Sequence, residues 1–192
     1  MALAYTDIQL EIREISLKDR PDELYNVSQK GTVPVLITKN HKIVDESLNI
    51  MLWALKTNKN QTWLQDNHIK DIEMINNNDT LFKKLLDRYK YHDRYPENSK
   101  EYYRENCNKT LSEYENQLKI TKYLLRDTLS IADIAIFPFV RQFANVDYNE
   151  FSNNYSKLKN WLEGICSSDL FIQIMKKYEI WDNKEKGIII KY

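Results

Sequence analysis

The hydrophobic pattern differs between the first third of this chain and the rest, and that difference restricts the possible folds more than any other feature. The segment QLEIREIS places Leu10, Ile12 and Ile15 among charged residues at nearly alternate positions, which is typical of a strand with one covered face. From about residue 64 onward, apolar residues recur at three- and four-residue steps, and no convincing strand follows until the tail. The sequence therefore predicts a small α/β unit followed by an all-helical unit.

Local signals give the order of elements in the first unit. RPDELYNVSQ carries a proline and acidic residues where a helix begins. VPVLIT and KIVDE are short apolar runs joined by the polar KNHK, as in a hairpin. DESLNIMLWALKT then has helical periodicity, with Ser47 where an N-cap belongs. We assign residues 1–58 to this unit and 65–192 to the helical unit.

The helical unit carries two strong signals. EYYRENCNKTLSEYENQLKI predicts a long helix whose inner stripe contains Tyr103, Cys107, Leu111, Tyr114 and Leu118. In LLRDTLSIADIAIFPFVRQF, Ser130 and Asp133 have the spacing of a capping box, and Leu129 with Ile134 could form a hydrophobic staple. The helix after the box is apolar on nearly every side, so we expect it at the centre of this unit.

Composition excludes several classes of function. Lys plus Arg and Asp plus Glu both number 28, so no net basic field attracts a nucleic acid. The three histidines and two cysteines lack metal-ligand spacing, so we expect no metal. No segment approaches the length of a membrane span. The isolated cysteines, which we expect to be buried, fit a reducing compartment and predict a cytoplasmic protein.

Three segments, KGTVPVLI, VDES and LSIADIAIFPF, resemble in order and spacing the glutathione transferase superfamily, in particular its bacterial cysteine-type or omega-like members. The resemblance implies a thioredoxin-like α/β domain followed by an all-α domain. It also implies a cis bond before Pro34, which leaves the backbone of Val33 facing outward to bind glutathione like an added strand. Taken alone, Pro34 could simply end an edge strand.

The resemblance assigns the two ends of glutathione to further residues. Glu46 would bind the α-ammonium of the γ-glutamyl group, while Ser47 and the helix start after it would bind the carboxylate. An ordinary helix cap explains Ser47 equally well, and both roles are compatible. Arg20, and less strongly Lys30, are candidates for the glycyl carboxylate, although each could be a solvated surface charge.

A second substrate would be a small electrophile or a disulfide, held in a pocket lined from the helical domain. The aromatic segment DRYKYHDRY offers Tyr89, Tyr91 and Tyr95 for that pocket. Packing between helices or subunits is the alternative explanation for these rings. The resemblance also implies a symmetric homodimer.

The sequence departs from the family pattern at its start. The catalytic Tyr, Ser or Cys of the family follows the first strand, whereas MALAYTDIQLEI reads as the end of the first helix running into the second strand. Either further residues precede Met1, which the cost of losing a central strand favours, or the protein lacks that strand. We therefore assign no catalytic residue.

Three functions are compatible with the sequence. The first is a glutathione transferase-like protein that binds glutathione and, if an N-terminal nucleophile is supplied, transfers or exchanges the thiol. The second is a non-catalytic member of the family with a binding or regulatory role. The third is a helical interaction module that binds no ligand.

Overall fold

The computed structural model describes residues 1–183 and 185–192. Its helices, in chain order, are α1 Ala2–Tyr5, α2 Asp22–Val27, α3 Ser47–Thr57, α4 Ile69–Asn77, α5 Lys83–Lys90, α6 Lys100–Gln117, α7 Ile131–Ala144, α8 Tyr148–Asn154, α9 Ser156–Cys166 and α10 Asp169–Ile174. The strands are β1 Leu10–Ile12, β2 Val35–Ile37, β3 Ile43–Asp45 and β4 Ile188–Ile190. A π-type turn, Asn78–Phe82, joins α4 to α5, and a 3₁₀ turn, His92–Arg94, follows α5.

The chain divides into two units, each with its own internal contacts. The first contains Met1–Gln61 together with Asp169–Tyr192, and the second contains Thr62–Ser168. The division between Gln61 and Thr62 lies between the predicted ranges 1–58 and 65–192. The sequence did not predict that the last two dozen residues join the first unit, so the helical unit ends earlier than the predicted range 65–192.

A short antiparallel hairpin of β2 and β3 organises the first unit. Val35 pairs with Asp45 at one end and Ile37 pairs with Ile43 at the other. At the turn, the backbone N–H of Thr38 donates to the carbonyl of Lys42 at 2.9 Å. The predicted hairpin over VPVLIT and KIVDE is therefore present in the structure. Its register brings the residues before β2 and those after β3 to the same end.

The C-terminal tail supplies the strand partner of β1. β4 runs antiparallel to β1, with Leu10 opposite Ile190 and Ile12 opposite Ile188. A Cβ added to Gly187 would collide with the carbonyl oxygen of Ile12, so only glycine lets the tail approach this closely. Backbone N–H and C=O groups of a strand need partners, and for β1 the tail provides them. The described strands form two separate two-stranded sheets.

The core of the second unit follows the predicted stripes. Tyr103, Cys107, Leu111 and Tyr114 of α6 are all buried, which confirms the inner face predicted for this helix. Helix α7 buries nine of its fourteen residues and includes Pro138. This density of buried apolar side chains places α7 at the centre of the unit, as its sequence predicted.

Two buried carboxylates fix the ends of helices in this unit. Asp133 forms the predicted capping box with Ser130 and also accepts hydrogen bonds from the N–H of Leu124 and from Nε1 of Trp161, both at 2.9 Å. Burial raises the pKa of Asp133, although these hydrogen bonds oppose the shift. Glu115 of α6 accepts from the backbone N–H groups at the start of α9, including that of Leu158 at 2.8 Å. The sequence did not predict this second cap.

Two kinds of feature are absent from the described part of the chain. None of the helices there combines the length and the apolar character that crossing a membrane requires. No cluster of three or more His, Cys, Asp or Glu side chains among the described residues could hold a metal ion.

Candidate functional site

The bend before β2 has the geometry that the family resemblance implied. The peptide bond between Val33 and Pro34 is cis. The ladder of the hairpin begins only at Val35, and the backbone N–H and C=O of Val33 make no hydrogen bond with the described residues. Val33 is also 45% exposed, although it is a large apolar residue. The bend therefore presents a free donor and a free acceptor at the surface of the first unit.

Glu46 and Ser47 lie at the same end of the hairpin as this bend. Because Val35 pairs with Asp45, the residue after β3 comes next to the residue before β2. Glu46 has φ 63° and ψ 130°, a backbone conformation that a non-glycine residue adopts at a cost of about 1–3 kcal/mol. Such strain is concentrated at ligand-binding and active sites, which makes this position a functional candidate.

Ser47 begins α3 rather than capping it, so the predicted N-cap role is wrong. The N-cap position belongs to Glu46, and the start of α3 has no side-chain cap. The hydroxyl of Ser47 makes no hydrogen bond with the described residues, and Ser47 is exposed. Uncapped N–H groups at a helix start attract anions. The hydroxyl and these N–H groups are thus available to a carboxylate.

Lys30 also lies at this end of the hairpin. Its Nζ is 3.2 Å from Oε1 of Glu46 and 3.9 Å from Oδ2 of Asp45. These side chains are about half exposed or more, so the ion pairs are screened by water. Lys30 therefore contacts the residue assigned to the γ-glutamyl end of glutathione, whereas the sequence assigned Lys30 to the glycyl end.

Gly31 sets the chain path between Lys30 and the bend. It has φ 58°, which favours glycine, and a Cβ there would collide with the ring of Tyr25. Arg20, the other predicted cation, lies exposed in the loop before α2. No hydrogen bond or ion pair between described residues joins Arg20 to the bend. The structure thus brings Lys30, but not Arg20, into contact with the site.

Comparison with known proteins identifies the family. The model of the glutathione S-transferase N-terminal domain matches residues 1–57, and that of the C-terminal domain matches residues 78–169. The chain belongs to the glutathione S-transferase superfamily. Its fold is accordingly a thioredoxin-like α/β domain, here with small sheets, followed by an all-helical glutathione transferase domain.

Individual relatives agree with the family models. Glutathione S-transferase F13 of Arabidopsis thaliana is 34% identical over 70 residues, which is 36% of this chain and 32% of that protein. The match thus spans about a third of that curated relative. A ternary complex of BphK, a bacterial GST, has a TM-score of 0.76 at 20% identity and covers 90% of this chain and 88% of its own. A glutathione S-transferase from Methylobacillus flagellatus with bound GSH has a TM-score of 0.74 at 17% identity and covers 90% of each chain.

The described residues of this superfamily member include no activated thiol. Cys107 is fully buried in the second unit, and desolvation raises its pKa to about 12. Cys166 is only half-buried, contrary to the expectation that both cysteines are buried, and desolvation raises its pKa as well. Thr6 donates its hydroxyl to the carbonyls of Ala2 and Leu3 and is buried.

The three tyrosines predicted to line a second-substrate pocket have different environments. Tyr89 is 3% exposed, and its ring packs 5.2 Å from that of Phe143. Tyr91 is exposed, and its ring lies 4.9 Å from the cationic groups of both Lys90 and Arg94. Tyr95 is partly exposed. The environment of Tyr89 fits the alternative of packing between helices, and the assignment of the three rings to a substrate pocket stays a prediction.

Proposed function

We propose that this chain binds glutathione through the backbone of Val33 and the side chains of Glu46 and Ser47. One observation carries the proposal: the hairpin register brings the cis bend and the strained Glu46 to the same end of one ladder, in a chain with both family domains. Val33 has a free N–H and a free C=O, the pair that an extended peptide uses to add to a strand. The backbone of the cysteinyl residue of glutathione supplies the complementary pair.

The side chains fit the γ-glutamyl end of the tripeptide. The carboxylate of Glu46 suits an α-ammonium, and the Ser47 hydroxyl with the uncapped start of α3 suits a carboxylate. Lys30 pairs with Oε1 of Glu46. An incoming ammonium would share Glu46 with Lys30 or displace it, and a displaced Lys30 would be free to bind a carboxylate of the ligand. Solved relatives with bound lactoylglutathione or oxidised glutathione support the choice of ligand class.

Calorimetric titration with reduced glutathione tests the binding. Glu46→Ala should weaken binding by at least about tenfold, since a charge-assisted hydrogen bond contributes about 1.5–3 kcal/mol. Glu73→Ala removes an exposed carboxylate from α4 in the second unit and serves as the matched control. Equal affinities for the wild type and Glu46→Ala, or no binding at millimolar glutathione, would refute the proposal.

We further propose that the chain transfers or exchanges the glutathione thiol when a nucleophile is supplied at the N-terminal side of the first unit. In exchange, a thiolate attacks one sulfur of a mixed disulfide, a new S–S bond forms as the original S–S bond breaks, and the second sulfur leaves as a thiolate. Two substrates distinguish the reactions. One is a mixed disulfide that contains glutathione, and the other is a small aryl halide. Turnover of the disulfide indicates exchange, and turnover of the halide indicates conjugation.

The alternative is a non-catalytic glutathione-binding or regulatory protein. The high pKa of Cys107 and the engaged hydroxyl of Thr6 favour it for the described residues. Binding of glutathione without turnover of either substrate would decide for this alternative.

We also propose that the protein forms a symmetric homodimer, which sedimentation velocity would check. A cytoplasmic location is proposed as well, and the two unpaired cysteines support it.

A further inference from the structure

The helical unit contains a recess that the proposed glutathione site does not use. It encloses about 150 Å³ and lies where the end of α5, the first turns of α6 and the start of α8 meet. We call it the α5–α8 recess. Its lining includes Tyr89, Lys100, Arg104, Val146, Asp147 and Glu150. All of them belong to the second unit, whereas Val33, Glu46 and Ser47 belong to the first.

Charges of both signs line the α5–α8 recess. Arg104 and Glu150 already pair, with Nη1 2.8 Å from Oε2. Lys100 makes no ion pair with the described residues, and its Nζ lies 5.6 Å from the centre of the Tyr89 ring. Asp147 accepts the N–H of Glu150 through Oδ1 at 2.9 Å, and its Oδ2 has no partner in the described part of the chain. The recess therefore offers an uncommitted ammonium and an uncommitted carboxylate oxygen.

Three further residues line the recess: Tyr89, which is buried, Val146 and Glu101. The ring of Tyr89 packs on Phe143, and Val146 adds an aliphatic surface. Burial, followed by the negative charge of Glu150, raises the pKa of Tyr89, so this phenol stays neutral. Glu101 also lines the recess, but the hydroxyl of Ser99 and its own backbone N–H engage its carboxylate.

We propose that the α5–α8 recess binds a small zwitterion, an aliphatic amino acid whose carboxylate contacts Lys100 and whose ammonium contacts Asp147. A short methylene chain between the two charges would lie on Tyr89 and Val146. A simple anion would pair with Lys100 but leave Asp147 unpaired, and a simple cation would pair with Asp147 but leave Lys100 unpaired. Arg104 pairs with Glu150 through Nη1, while its buried Nε has no hydrogen-bond partner in the described part of the chain and adds a second donor on the carboxylate side of the recess.

Three probes of similar size test this proposal on the full chain: γ-aminobutyrate, butyrate and butylamine, each titrated by amide NMR at low ionic strength. We expect γ-aminobutyrate to bind at least about tenfold more tightly than either of the others, which corresponds to about 1.4 kcal/mol. The shifts should be confined to the amides around residues 100–104 and 146–150. Similar affinity for all three probes, no binding, or shifts elsewhere in the chain would overturn the proposal.

Two variants separate the partners of the ligand. Lys100→Met should reduce γ-aminobutyrate binding to the level of butylamine, and Lys109→Met, on the same helix, should leave it unchanged. In Asp147→Asn the charge is removed, but asparagine is also a good N-cap residue for α8, so the fold should be retained. This variant should bind γ-aminobutyrate about tenfold more weakly. Unchanged binding in Lys100→Met or Asp147→Asn would refute the assignment.

Titrating each variant with the ligand of the other proposal distinguishes the recess from the proposed glutathione site. Glu46→Ala should leave γ-aminobutyrate binding unchanged, and Lys100→Met should leave glutathione binding unchanged. Loss of both activities in Glu46→Ala would show that γ-aminobutyrate occupies the glutathione site and would overturn the proposal for the recess.

Discussion

Replacing Asp133 should destabilise the helical unit more than the loss of Glu115, the other buried carboxylate that caps a helix. The side chain of Asp133 is fully buried and accepts hydrogen bonds from Leu124 N–H, Trp161 Nε1–H and both the N–H and the hydroxyl of Ser130. In Asp133→Ala the hydroxyl of Ser130 can rotate to another acceptor. The three buried N–H donors, in contrast, lose their acceptor.

The size of the effect follows from these donors. Each buried donor left without a partner costs about 1–3 kcal/mol, and relief from burying a charge offsets part of the sum. We therefore expect Asp133→Ala to lower the free energy of unfolding by about 3–5 kcal/mol, the range for breaking a buried charged network. Asp133→Asn retains one acceptor oxygen and should lose less, about 1–3 kcal/mol.

Urea unfolding followed by far-UV circular dichroism and by tryptophan fluorescence measures this loss. Asp127→Ala is the matched control, because Asp127 also accepts a backbone N–H, from Lys122 at 2.9 Å, but is exposed. The control should lose less than about 1 kcal/mol. A loss for Asp133→Ala no larger than that of the control would refute the argument from unpaired donors.

Further predictions concern pH, a helix cap, the tail and a thiol. Because burial raises the pKa of Asp133, the folded state favours its protonated form. The free energy of unfolding of the wild type, relative to that of Asp133→Asn, should therefore fall as the pH rises from about 4 through the raised pKa. A relative free energy of unfolding that rises over this pH range in urea titrations would contradict the prediction. Glu115→Ala should cost about 1–3 kcal/mol in the same assay, since the first N–H groups of α9 lose their acceptor. Gly187→Ala should speed hydrogen exchange of the β1 amides, because the new Cβ collides with the Ile12 carbonyl and loosens β4; unchanged exchange would show that the tail does not protect β1. Cys107, with its pKa near 12, should resist alkylation at neutral pH in the folded protein and react in urea.

Much of the fold was predictable because its signals are local. The stripe of α6 follows from the helical period, and the capping box of Ser130 and Asp133 depends on residues three apart. In both cases neighbouring residues contain the whole pattern. The cis geometry before β2 is different: Pro34 alone could simply end an edge strand, and the cis bond was implied by the family resemblance.

Contacts between distant segments could not be predicted in this way. The N–H of Gly187 donates to Oε1 of Glu11 across 176 residues, and nothing near either residue indicates that β4 pairs with β1. Similarly, Lys30 reads as a surface cation in the sequence, yet it pairs with Glu46 because the hairpin brings them together. An aromatic residue such as Tyr89 has the same local pattern whether it is buried or exposed.

The amino-acid sequence of this member of the glutathione S-transferase superfamily by itself set the two-unit organisation and the main helices, because hydrophobic period and capping residues act over a few neighbouring positions. The packing of the folded chain set the partner of β1, the cap that Glu115 provides for α9, the neighbours of Glu46 and the charged lining of the α5–α8 recess. Those features depend on contacts between segments that are far apart in the sequence and come together only in the folded chain.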